Sequence, residues 1–80
     1  MKARKFNFKT RRYTEYELPQ FAKMYTPNMN EFIPCAQCGK RIRYGDSYTS
    51  LQIHNEMGLA YPVCHECYDR EWKERLEANE

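Results

Sequence analysis

The sequence predicts a small α+β domain in which an N-terminal strand and short helix precede a β-hairpin that runs into a C-terminal helix. Three observations carry that prediction. Apolar and polar residues alternate through "SYTSLQIH" and again through "LAYPVC", the period of half-buried strands. From residue 65 the pattern turns helical, with Tyr68, Trp72 and Leu76 at i, i+4 and i+8. The chain's four cysteines fall into two CxxC pairs, Cys35/Cys38 and Cys64/Cys67, that bracket the hairpin.

Taken in order, Phe6 and Phe8 alternate with polar residues, so an edge strand is expected around 5–10. Pro19 opens a short helix in which Phe21, Met24 and Tyr25 share a face, and Thr26–Pro27–Asn28 ends it. Phe32 and Ile33 lead to the first cysteine pair, and Gly39 suits the turn such a pair needs. Ile42 and Tyr44 alternate with basic residues before the turn signal Gly45–Asp46. In the hairpin Thr49, Leu51 and Ile53 share one face, Asn55 to Gly58 form the loop, and Leu59, Tyr61 and Val63 share the returning face. The helix spans roughly 65–78, with Tyr68, Trp72 and Leu76 toward the hairpin. The expected division is a basic, aromatic-rich extension over 1–33 packed on a core over 34–80, one domain overall.

Eighty residues sit near the size where an apolar core alone is marginal. Leu, Ile, Val and Phe number 12, and much of the remaining apolar surface is aromatic: seven Tyr and one Trp. Such a chain needs a staple. No apolar run is long enough to span a membrane, and the basic start has no apolar stretch behind it, so a cytoplasmic setting is expected. There, paired CxxC motifs read as metal ligands, with two disulfides as the other way to use four cysteines. Cys35, Cys38, Cys64 and Cys67 are therefore the expected ligands of one structural Zn2+. Four sulfurs complete a tetrahedron and leave no position for water or substrate. Four thiolates and one divalent cation also cancel the formal charge of +2, leaving the loaded protein near neutral.

The order knuckle, hairpin, ligand-bearing helix resembles the treble-clef zinc fold, and more loosely the half-modules of LIM domains. "CAQCGK" matches the knuckle and "VCHECYDREW" the helix start, so the resemblance covers residues 34–78. "CGKRI" is similar to the "CGxxI" of DksA/TraR zinc fingers, which have a shorter gap between pairs and flanking helices. Small double-CxxC proteins of bacteria and phages include inhibitors and adaptors of transcription and proteolysis machinery. The resemblance thus implies a regulatory or adaptor role with a protein partner, not an activity. The layout also resembles treble-clef nucleases of the HNH type, but the paired acid–His motif and a second metal set are missing. His54 and His65 are accordingly read as a hairpin-end and a solvent-facing residue, and the protein is expected not to be an enzyme, with no small-molecule substrate.

Two surfaces carry the functional expectations. Tyr13, Tyr16, Phe21, Met24, Tyr25 and Phe32 form an aromatic-rich segment, expected to be mostly core with a few residues left to anchor a protein partner. Lys2, Arg4, Lys5, Lys9, Arg11 and Arg12 have no acid among them, whereas the rest of the chain holds seven basic and eleven acidic residues. With Lys40, Arg41 and Arg43 they form the alternative, a nucleic-acid-binding surface, against which stands a plain strand whose lysines deter edge pairing.

Overall fold

A computed structural model describes residues 2–79. It opens with an antiparallel hairpin, β1 (Lys2–Asn7) and β2 (Arg12–Glu17), paired without interruption from Lys2↔Glu17 to Asn7↔Arg12. Opposite charges face one another across it, and Lys2 bonds Glu15 at 2.6 Å. The expected strand at 5–10 thus starts earlier and stops at Asn7. The Asn7 carboxamide ends it by accepting the N–H groups of Lys9 (2.9 Å) and Thr10 (3.2 Å). Nor is β1 an edge. It lies between β2 and β5 (Tyr48–His54), and β2 takes the outer position in the order β2-β1-β5-β6, where β6 is Ala60–Val63.

No helix forms between Pro19 and Tyr25. The few residues between Pro19 and Pro27 are too short a run to repay helix nucleation. The chain instead makes a turn closed by Ala22 N–H to Pro19 O (3.2 Å), with Phe21 in the left-handed region at φ 68°. That turn buries Leu18 and Ala22 and turns Phe21 out to solvent. The loop is nevertheless pinned. Thr26, itself buried, donates to Glu31 (2.8 Å), Lys23 pairs with the same carboxylate, and Asn28 bonds the backbone at Asn30. Tyr13, Phe21, Tyr25 and Phe32 are exposed and only Tyr16 and Met24 pack on the core, so most of the aromatic segment is not buried.

Strands β3 (Phe32–Pro34) and β4 (Arg41–Arg43) form a second, two-stranded sheet, followed by a 3-10 turn at Tyr44–Asp46. Gly45 passes so close to the loop that an added Cβ would stand 2.9 Å from Met29 O. The β5–β6 hairpin is present, but period-2 alternation fails inside β5. The pairing runs Tyr48↔Val63 and Thr49↔Pro62, then resumes at His54↔Ala60, so a bulge lies between. Within it Ser50, Gln52 and Ile53 are all buried, while Thr49 is exposed and Leu51 half-buried. Tyr61 and Val63 do face the core together, and Leu59 lies outside the strand in solvent.

Helix α1 (His65–Ala78) covers the span that the sequence predicts, but it is rotated about its axis. Its buried residues are Cys67 and Glu71, not the Tyr68–Trp72–Leu76 stripe. The cause is geometric. Cys67 points at the other sulfurs, and each residue turns about 100°, so Glu71 falls near the direction of Cys67 whereas Leu76 falls about opposite it. Tyr68 stacks on Tyr48 at the flank (4.9 Å), Trp72 is 38 % exposed and Leu76 61 %.

Candidate metal centre

The first pair sits on a tight turn between β3 and β4. Gly39 N–H closes it onto Cys35 O (2.9 Å), Cys35 N–H bonds Lys40 O (2.7 Å), and Gly39 takes φ +78°, which a side chain would strain. The second pair straddles the start of α1. Cys64 is the N-cap residue and Cys67 lies in the first turn, so the positive end of the helix faces the sulfurs. Ala36 N–H to Pro62 O (3.0 Å) ties the first turn to the strand that feeds the second.

The four Sγ atoms lie within 4.8 Å of one another, and all four thiols are unbridged. Cys38 and Cys64 are 3.8 Å apart, the edge length of a tetrahedron with bonds of about 2.3 Å. Backbone N–H groups of Gln37 (3.4 Å) and Cys64 (3.3 Å) point at Cys35 Sγ, and the Arg70 guanidinium reaches Cys67 Sγ at 3.5 Å. These donors favour thiolate over thiol. Burial, then the neighbouring sulfurs, push the Cys67 thiol well above its ordinary pKa. Four thiolates therefore cannot share this volume without a cation among them, and the cluster fits one metal ion. Cys35, Cys64 and Cys67 are buried and Cys38 lies at the rim.

A second constellation braces the first. The Glu71 carboxylate, 1 % exposed, accepts from Ser50 Oγ (2.7 Å), from Leu51 N–H in the bulge (2.7 Å) and from Gln37 Nε2 (2.5 Å). Gln37 belongs to the first CxxC turn and also reaches Gln52 Oε1 (3.1 Å), whose own amide donates to Phe6 O (2.9 Å). Ser50 Oγ accepts the N–H groups of Gln52 and Ile53. From β2, the Tyr16 hydroxyl donates to Ala36 O (2.7 Å), and burial followed by the nearby cysteines raises its pKa. The cysteine turn, helix, bulge and N-terminal hairpin are thus one bonded unit. None of Glu71, Gln37, Ser50 or Tyr16 is singled out by sequence motif. Glu71 had one signal, its place four residues after Cys67.

The basic residues do not converge on one spot. Lys2, Arg4 and Lys5 lie on β1, Lys9 and Arg11 in the turn, and Arg12 opens β2. Arg4 lies over the Tyr13 ring (5.9 Å) and Lys5 over Tyr16 (5.6 Å). Lys40 pairs with Glu66, Arg43 with Asp46, and Arg41 covers Phe32 (4.8 Å). His54 packs against Tyr13, and His65 against Tyr48 and Asp69. No helix among the described residues is long and apolar enough to cross a membrane. No protein-family model, curated protein or solved structure matches this chain.

Proposed function

We propose that this protein is a non-enzymatic zinc-stabilised binding module of treble-clef-like build that docks a protein partner through the loop over residues 18–31. One observation carries the reading: Phe21, 80 % exposed, is held in left-handed backbone on a loop otherwise locked by its own hydrogen bonds. That conformation costs an L-residue about 1–2 kcal/mol and normally goes to Gly or Asn. The ring returns nothing to the fold, since it is in solvent. Strain of this kind persists where a side chain is needed for contact. Tyr25, 70 % exposed, and Met29 stand on the same loop, the residue types that anchor interface cores.

Zinc is the ion we assign to the cysteine cluster: four sulfurs within 4.8 Å of one another, with Cys38 and Cys64 at 3.8 Å, support a tetrahedral site, and a closed sulfur set offers no position for chemistry. The knuckle, hairpin and helix order supports the treble-clef-like reading, and a regulatory or adaptor setting follows from the sequence resemblance. The test is Phe21→Gly in the zinc-loaded protein. It should raise stability by about 1 kcal/mol while abolishing capture of the partner protein that the wild type retains. A variant that keeps the partner, or that loses stability, overturns the proposal.

A further inference from the structure

The basic hairpin has a feature that the docking loop does not explain. A chain of rings runs along one face of the sheet: Phe8 to Phe6 (5.7 Å), Phe6 to Tyr13 (5.1 Å) and Tyr13 to His54 (5.7 Å). Phe6, Phe8 and Tyr13, with Leu51, line a groove of about 390 Å³, large enough for a nucleotide. Arg11, Arg75 and Asn79 also line it, and among the described residues no carboxylate does. The two cations come from opposite ends of the sequence, one from the β1–β2 turn and one from the last turn of α1. The turn is held for display, with Arg11 N–H bonded to Asn7 O (2.8 Å) and Arg11 itself at φ 57°. A neighbouring hollow that also touches Phe6 and Phe8 has mixed charge instead, lined by Lys5 and Lys9 together with Glu74 and Glu77.

We infer that this groove binds single-stranded nucleic acid, with bases stacked on Phe6, Phe8 and Tyr13 and phosphates held by Arg11 and Arg75. Aromatic faces accept any base, and cations beside them track the backbone, so the recognition is tolerant of sequence. Charge complementarity selects this ligand. The described residues before Glu15 carry six basic side chains and no acid, so the hairpin stays positive although the loaded protein is near neutral overall. The surface is distinct from the 18–31 loop, so the two sites can fail separately.

The experiment is fluorescence anisotropy of a labelled oligothymidylate and oligouridylate of about ten nucleotides, titrated with zinc-loaded protein. Contact of Arg11 and Arg75 with two phosphates predicts that affinity drops about sevenfold between roughly 50 and roughly 200 mM salt. Phe8→Ala should weaken binding about fivefold or more through lost stacking. Arg75→Gln, on the helix surface and harmless to the hairpin, should reduce the logarithmic salt slope by about 0.7. No anisotropy change up to about 100 µM protein at low salt overturns the inference. So does equal competition by heparin with Phe8→Ala indifferent, which would mark a bare cationic patch. Occupation of this groove by a captured protein, blocked by Arg75→Gln, would overturn it as well.

Discussion

Replacing Glu71 by Ala tests the bonded unit that joins the cysteine turn to the helix and the bulge. The carboxylate satisfies three donors: Leu51 N–H, the Ser50 hydroxyl and the Gln37 amide. Their fates differ when it goes. The Ser50 hydroxyl can rotate, and Gln37 Nε2 keeps Gln52 Oε1 at 3.1 Å. Leu51 N–H has no such recourse, because the bulge has already taken it out of the ladder with β6. One fully orphaned buried donor costs about 1–3 kcal/mol, and two weakened bonds add about 0.5–1 kcal/mol each. Glu71→Ala should therefore destabilise by about 2–5 kcal/mol, toward the large end for a single substitution. Glu71→Gln keeps the shape but turns an NH2 toward at least one donor, for a cost of about 1–2 kcal/mol. Urea unfolding of the zinc-loaded protein, followed by Trp72 fluorescence and circular dichroism at fixed zinc, reads both values. If both variants fall within about 0.5 kcal/mol of wild type, the reasoning is refuted, for Glu71 would then be replaceable by water.

Three further outcomes are expected. The purified protein should carry one zinc by elemental analysis, and chelation or Cys35→Ser should collapse the dispersed amide spectrum over residues 34–78, since the site supplies folding energy; a chelated protein with an unchanged spectrum would contradict this. Trp72→Ala should cost no more than about half of the 3–5 kcal/mol of full burial, and Leu76→Ala almost nothing, because the helix turns both toward solvent; a larger loss in urea unfolding would mean that the helix phase is wrong. The Glu31 carboxyl should titrate below the ordinary carboxylate range by NMR, chiefly through its hydrogen bond from Lys23 and then that from Thr26. Because its folded pKa is lowered, the small stabilisation it brings is present above the ordinary carboxylate pKa and disappears as pH falls through the folded value; Lys23→Met should move the titration back up.

What the sequence determined by itself is local. Two CxxC pairs with no spare cysteine, the Gly39 turn, the β5–β6 hairpin and the helix over 65–78 all follow from short-range spacing, and each is found where it is read. The positions of Cys64 as N-cap and Cys67 one turn in are likewise set by neighbours in the chain. Tertiary structure decided which face of each element matters. Hydrophobicity assigns Tyr68, Trp72 and Leu76 to the inside of α1, but a ligand that must point at three other sulfurs fixes the helix rotation first. Polar Glu71 then falls inward, where it finds donors waiting. The same holds for β5, where a bulge bonded to Glu71 breaks the alternation that Thr49, Leu51 and Ile53 spell out. It holds too for Phe21, whose helical spacing counts for nothing once Leu18 and Ala22 can be buried by a turn. Periodicity ranks faces by apolarity. A metal centre ranks them by where its ligands must aim, and in so small a core that requirement prevails.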